Sequence, residues 1–326
     1  MNRIPISSSL GALHETAGGH SKALLTSPQH DGCVLKILSN SEYNTIKYLQ
    51  DTSLREFCPE LHGVTQIDGM DYMVVQNLLH GMKEPKVMDI KMGTRTFELS
   101  EVDKPEKRKD LLEKMIALDP TAPSDEERLE GVTKLRYMQY REQCSTTASL
   151  GFRMEGITSS SCHTDDSSRS LCKEAARLIR DRDGALAAIS GYFEGDWGLI
   201  NFFRLKLIEL QSRLHESEWF AGHELIGTSL LFVYDQSPDH QQSCAIGTSG
   251  LEEVSLRMET RPIVGSVWMI DFVHTHPARE QPLTHEVQWK EGSQEDGYLI
   301  GLTSLISLLQ DLLKKTSPPV QEAGTS

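Results

Sequence analysis

No run of this 326-residue chain approaches the ~20 consecutive apolar residues that a membrane-spanning helix requires. Residues 1–10 also lack the basic-then-apolar order of a secretory signal. Cysteine is sparse: six residues, at 33, 58, 144, 162, 172 and 244, contain no C-x-x-C pair. That usage argues against a disulfide framework or a zinc finger and suits reduced thiols in the cytoplasm, the expected location. Positive charge is in deficit, with 33 Lys and Arg against 47 Asp and Glu and a net charge of −14. A phosphate backbone attracts a basic surface, so nucleic acid is excluded as the main partner. There is no internal repeat.

What remains is an ordinary globular balance, 38% hydrophobic and 25% charged, with length for one large domain or two intimately packed ones. Against the general acidity stands one basic cluster: Lys104, Lys107, Arg108 and Lys109, then Lys134, Arg136 and Arg141. Such a run is more often a solvated helix face than a binding surface. Val, Ile and Tyr enrichment bounded by Gly, Asp and Pro predicts strands over 33–38, 63–67, 71–78 and 87–91, with a helix over 42–50. Helices are expected over 104–118 and 124–142, the second opened by a Ser124/Glu127 capping box. A strand over 150–157, an exposed loop over 158–170, and helices over 171–186 and 197–214 follow. Apolar strands over 225–234 and 263–272 flank a polar insertion over 236–261, in which 252–259 is a candidate extra strand. A closing helix is predicted over 296–313. Strands, a helical insert, then mixed elements make α+β the expected class.

The chemistry is clearest in Pro85-Lys-Val-Met-Asp89-Ile-Lys91-Met-Gly93. Two residues apart on a strand, Asp89 and Lys91 project from one face. The pair serves as a structural ion pair or as a phosphoryl-transfer site, in which the carboxylate orients a hydroxyl and the ammonium neutralises a transferring phosphate. Gly93 lets another backbone approach closely. In Trp268-Met-Ile-Asp271-Phe, an apolar strand ends in one carboxylate, as a turn cap or as a ligand for Mg²⁺. In Gly227-Thr-Ser229-Leu-Leu, a hydroxyl is placed to face nucleotide and metal.

P-x-x-x-D-x-K-x-G, then S-L-L, then I-D-F, in that order, resembles the inositol polyphosphate kinase family. Arg136-Tyr-Met-Gln-Tyr-Arg141-Glu, Leu150-Gly-Phe-Arg-Met-Glu-Gly156 and Glu295-Asp-Gly-Tyr-Leu-Ile-Gly-Leu302 are similar to its inositol 1,4,5-trisphosphate 3-kinase branch, and the likeness runs from about residue 16 to 313. It implies a two-lobed fold related to protein kinases, ATP and Mg²⁺ as cofactors, inositol 1,4,5-trisphosphate as substrate and a place in calcium signalling. The resemblance assigns Asp89 and Lys91 as the catalytic pair and Lys36 to the ATP phosphates. Gln76, Asn77 and Leu78 match the hinge beside adenine and ribose, Asp271 the metal ligand, and Ser229 its neighbour. Lys91, Arg108, Lys134, Tyr137 and Arg141 match the substrate-binding positions, and 134, 137 and 141 share one helix face by spacing.

The implied organisation is a tail over 1–15, a catalytic domain over 16–314 with its substrate-binding insert at about 101–144, and a tail over 315–326. No basic amphipathic helix stands out as a calmodulin site. Thr158 stands where the branch places a substrate-binding lysine, Asn77 where an acidic residue is usual, and Leu135 and Tyr140 replace Pro and Trp. Ile270-Asp-Phe-Val-His-Thr275 follows the multikinase and hexakisphosphate-kinase branches more than the 3-kinases. A multikinase of broader specificity and a non-catalytic inositol-phosphate-binding scaffold are the alternatives. The long insert favours the 3-kinase, and retention of Lys36, Asp89, Lys91 and Asp271 opposes the scaffold.

Overall fold

The computed structural model describes residues 11–12, 24–26, 30–158, 175–176, 178–237 and 263–316. The first lobe holds strands β1 (Gly11–Ala12), β2 (Leu24–Thr26), β3 (Cys33–Ile37), β4 (Leu61–Ile67) and β5 (Met70–Gln76). They form one antiparallel sheet in the order β1-β2-β3-β5-β4. The β4–β5 hairpin turns on Asp68-Gly69, with φ of 50° and 81°, the dipeptide that a tight primed turn favours. Helix α1 (Asn40–Leu49) leaves β3 because Ser39 caps it, accepting from the Glu42 N–H. A 3-10 turn, Ser53–Phe57, leads into β4.

The second lobe is built on β6 (Pro85–Met92), β7 (Phe152–Ile157), β9 (Ser229–Asp235) and β10 (Gly265–Ile270), antiparallel in the order β10-β9-β6-β7. A separate two-stranded ladder pairs β8 (His223–Ile226) with β11 (His274–Pro277). Between β6 and β7 lies the helical insert: α2 (Leu99–Val102), α3 (Lys109–Leu118), α4 (Asp125–Glu130), α5 (Lys134–Gln143) and α6 (Thr146–Leu150). Helices α7 (Arg182–Tyr192), α8 (Trp197–His215), α9 (Glu218–Ala221) and α10 (Tyr298–Thr316) complete the lobe.

The two faces of the four-stranded sheet differ, and that difference creates the site. Met88, Ile90 and Met92 of β6, Leu230, Phe232 and Tyr234 of β9, and Val267 and Met269 of β10 alternate onto the face packed in the main core. There they meet Phe203, Leu207 and Leu210 of α8 and Leu302, Leu305 and Leu309 of α10, the apolar stripes of two 19-residue helices. The opposite face carries Val87, Leu231, Val233 and Trp268, which cluster with Leu79 and Met82 from the interlobe connection. The insert has its own small core of Leu111, Leu112, Met115, Val132 and Tyr140.

The expected mixed α+β class is met, while several boundaries move for local reasons. The helix predicted over 104–118 begins at Lys109, because Arg108 is extended and its backbone bridges to Val132. That predicted over 124–142 is two helices, broken at Gly131, whose φ of 97° no helix accommodates. The strand predicted over 225–234 splits at Gly227 (φ 69°) into β8 and β9, which belong to different sheets. The helix predicted over 171–186 is interrupted: 175–176 are helical, 178–181 are not, and Arg182–Tyr192 starts anew with the Asp181 side chain accepting from the Gly184 N–H. Most of the predicted 158–170 loop, the start of that helix, the bulk of the 236–261 insertion and both tails lie outside the described residues.

Helix α10 docks backbone to backbone on the turn before β7. A Cβ at Gly301 would clash with the Gly151 carbonyl oxygen, and the Gly93 N–H donates to that same oxygen at 2.8 Å. Gly301→Ala in a free helix gains up to about 1 kcal/mol in propensity. Here overpacking against rigid backbone costs about 1–3 kcal/mol or more. The expected outcome is a net loss of stability in denaturant unfolding; an unchanged or raised midpoint would contradict this docking.

Candidate active site

On the open sheet face, Asp89 lies opposite Leu231 and Lys91 opposite Ser229, so β6 and β9 place a carboxylate, an ammonium and a hydroxyl beside an apolar ledge. Asp89 is 4% exposed. Its Oδ1 and the Oγ of Ser229 are buried without a hydrogen bond of ordinary geometry among the described residues. An unpaired buried acceptor is costly unless a ligand completes it. The Asp89 carboxyl is pushed up to about 6, first by burial and then by the Asp271 charge, while Ser229 and Lys91 pull it down and Glu155 adds to the rise. Lys91 Nζ donates to the Gly227 carbonyl at 2.7 Å, so the kink between β8 and β9 anchors it.

Asp271 follows the last residue of β10 with a φ of 65°, a conformation that costs a non-glycine residue about 1 kcal/mol or more. Lys36, reaching across from β3, donates to Asp271 Oδ1 at 2.6 Å and to Glu42 Oε1 at 2.8 Å. Burial acts to lower the Lys36 pKa, but the Asp271 and Glu42 carboxylates outweigh it and the net shift is upward. Glu42, on the first turn of α1, also accepts from the Phe272 N–H at 3.2 Å. Sequence reasoning missed this residue; Ser39 followed three positions later by Glu42, directly after a strand lysine, was the available signal.

Between the sheets lies a cleft of about 510 Å³, lined by Gly32, Cys33, Gln76, Asn77, Leu78 and Trp268 among others. The Asn77 N–H pairs with the Gly32 carbonyl at 2.8 Å, and its side chain accepts from the Leu79 N–H at 3.1 Å. Asn77 therefore closes its own turn, while Gln76 Oε1 accepts from the Glu60 N–H at 3.2 Å.

Two of the insert cations, Arg108 and Lys134, are paired with acidic neighbours, and Arg141 sits by an aromatic ring. Arg108 binds Asp110 through two hydrogen bonds, and its backbone bridges to Val132, holding the starts of α3 and α5 together. Lys134 Nζ is 2.9 Å from Glu101 Oε2, and the Arg141 guanidinium lies 6.0 Å from the Tyr137 ring centroid. Thr158 continues the β7 ladder: its hydroxyl accepts from the Val87 N–H at 2.7 Å.

A family model described as inositol polyphosphate kinase matches residues 72–310. The chain belongs to the inositol polyphosphate kinase family. It is 37% identical over 292 residues to human inositol-trisphosphate 3-kinase A, covering 87% of this chain and 56% of that protein. It is 36% identical over 290 residues to mouse inositol-trisphosphate 3-kinase C, covering 86% of this chain and 38% of that one. The chain thus spans about half, or less, of the length of these relatives. In structure it resembles the inositol phosphate multikinase Ipk2 of S. cerevisiae, solved with ADP and Mn²⁺, with a TM-score of 0.55 at 20% identity over 86% of this chain and 99% of that one. The two-lobed kinase-like fold expected from the sequence is therefore shared with the family.

The raised Asp89 pKa has a measurable sign. The folded protein holds this proton more tightly than the unfolded chain, so the stability this group contributes is fully present below about pH 4 and is lost as the pH rises through about 6. Relative to Asp89→Asn, the ligand-free protein should lose about 2 kcal/mol of stability between pH 4 and 7. Parallel stability profiles for the two proteins would show that Asp89 is not held in a desolvated site.

Proposed function

We propose that the chain transfers the γ-phosphoryl group of ATP to the 3-hydroxyl of inositol 1,4,5-trisphosphate, giving inositol 1,3,4,5-tetrakisphosphate. The observation that carries this reading is Asp89, a buried carboxylate with an unpartnered oxygen, two residues from Lys91 on one strand face. The 3-kinase relatives support the choice of substrate. Residues 16–314 act as the catalytic domain, in the cytoplasm and in calcium signalling, with the insert at about 101–144 gripping the inositol phosphate.

Mg²⁺ fits the donor set, because the Asp271 carboxylate and the buried Ser229 hydroxyl beside Asp89 are hard oxygen donors. When bound, it supplies charge neutralisation on the nucleotide phosphates. Gln76, Asn77 and Leu78 border the adenine and ribose in the interlobe cleft, and Lys36 steadies the phosphates. Asp89 accepts a hydrogen bond from the 3-hydroxyl and takes its proton as the new oxygen–phosphorus bond forms. The bond from γ-phosphorus to the bridging oxygen breaks, and ADP leaves with that electron pair. Lys91, beside both groups, stabilises the charge in transit.

Asp89→Asn and Asp271→Asn keep side-chain size and remove the charge, so each should lower turnover about 10²–10³-fold with the fold intact. Near wild-type turnover in folded variants would overturn the assignment. Alanine at Arg108, Lys134 or Arg141 should instead raise the KM for the inositol phosphate about tenfold with little change in the KM for ATP, as loss of a charge-assisted contact of about 1.5 kcal/mol requires. An unchanged inositol phosphate KM would make the cluster a solvated face.

A further inference from the structure

Away from the cleft, Glu98, His274 and His276 bring their ligating atoms within 4.8 Å of one another. Glu98 Oε1 lies 2.6 Å from His274 Nδ1 and 2.8 Å from His276 Nε2. The histidines are two apart on β11 and so share a face. Pairing with β8 fixes that strand, with His274 opposite Ile226 and His276 opposite Glu224. Glu98 is held from behind. Ser100 Oγ donates to its other oxygen at 3.0 Å, and the fully buried Arg95 donates to the preceding Phe97 carbonyl at 2.9 Å. Arg95 also pairs with Glu224 at 2.5 Å, so one buried guanidinium ties the Glu98 segment to the ladder that carries the histidines.

We propose that Glu98, His274 and His276 form a binding site for a divalent transition-metal ion, with Zn²⁺ the best match. Two imidazole nitrogens and one carboxylate oxygen are a three-ligand set that suits Zn²⁺ and disfavours Mg²⁺, which prefers oxygen. The histidine side chains are 48% and 44% exposed, leaving coordination positions open to water. Ser100 supplies the outer hydrogen bond that orients a ligating carboxylate. The ion would clamp two elements: Glu98 is the N-cap of α2, the first helix of the insert, and His274 lies three residues beyond Asp271. Occupancy would brace the base of the insert against the segment that follows Asp271.

The test titrates the purified, chelator-stripped, nucleotide-free full chain with Zn²⁺ calorimetrically and with Co²⁺ by visible absorption. Wild type and Asp271→Asn should bind one equivalent of Zn²⁺ that the double variant H274A/H276A loses, and Glu98→Gln should weaken binding by at least about tenfold. The Co²⁺ bands of the wild type should vanish in the double variant. If that variant misfolds, Glu98→Gln decides in the same way. Unchanged Zn²⁺ affinity in folded variants, no Zn²⁺ equivalent in the wild type, or loss of it in Asp271→Asn would each overturn the site and leave an ordinary hydrogen-bonded His-Glu-His triple.

Discussion

The Lys36 ammonium, held between Asp271 and Glu42, is the interaction on which the cleft depends. Lys36 belongs to the first sheet, Asp271 to the end of the second, and Glu42 to the helix between β3 and β4. Around this bridge α1 docks on the segment after β10: Ser41 Oγ donates to the Phe272 and Thr275 carbonyls at 3.5 and 3.3 Å, and Phe272 N–H donates to Glu42. Glu42 is 2% exposed, and removing one partner from a buried pair costs about 3–5 kcal/mol because the other charge is left uncompensated. The same contacts set the separation of the lobes and the position of Asp271.

The second constraint is the pleat of β6. One register puts Met88, Ile90 and Met92 into the core and Val87, Asp89 and Lys91 toward the cleft; a slip of one residue would bury the two charges under α8 and α10. Core packing therefore enforces the site's geometry, and the closely packed Gly93, Gly151 and Gly301 backbones keep the strand's end from shifting. The insert, with its own small core, hangs from that end and is tied back where Glu142 Oε1 accepts the Thr96 N–H at 2.7 Å.

Much of this was legible in residue order. Alternation along 85–93 placed Asp89 and Lys91 on one face, and Gly93 announced the close approach that the Asp296 carbonyl makes. What was not legible followed from single backbone angles or distant contacts. Gly131 and Gly227 break elements whose side-chain pattern runs on through them, and the Arg108–Val132 bridge delays α3 within a charge-rich stretch. Glu42 carries no signal of its role until α1 folds back on Asp271, 229 positions away. The His274, His276 and Glu98 cluster carried no signal in residue order, because Arg95 and the β8–β11 ladder bring Glu98 to the histidines across some 176 positions. Asn77 and Thr158, departures from the branch pattern, turn out to serve the backbone, one closing a turn and the other extending a ladder.

Arg108 and Lys134 rest on acidic neighbours in a chain of charge −14, so a polyanionic ligand competes with Asp110 and Glu101 for them. Such competition weakens each contact and makes recognition depend on several phosphates at once. The measurement that bears most directly on the account is an isomer-resolved product assay of the purified chain with ATP, Mg²⁺ and inositol 1,4,5-trisphosphate. A single tetrakisphosphate product bearing the new phosphate at the 3-position is the predicted result. Phosphate appearing at another position, or no transfer at all by the folded protein, would contradict it.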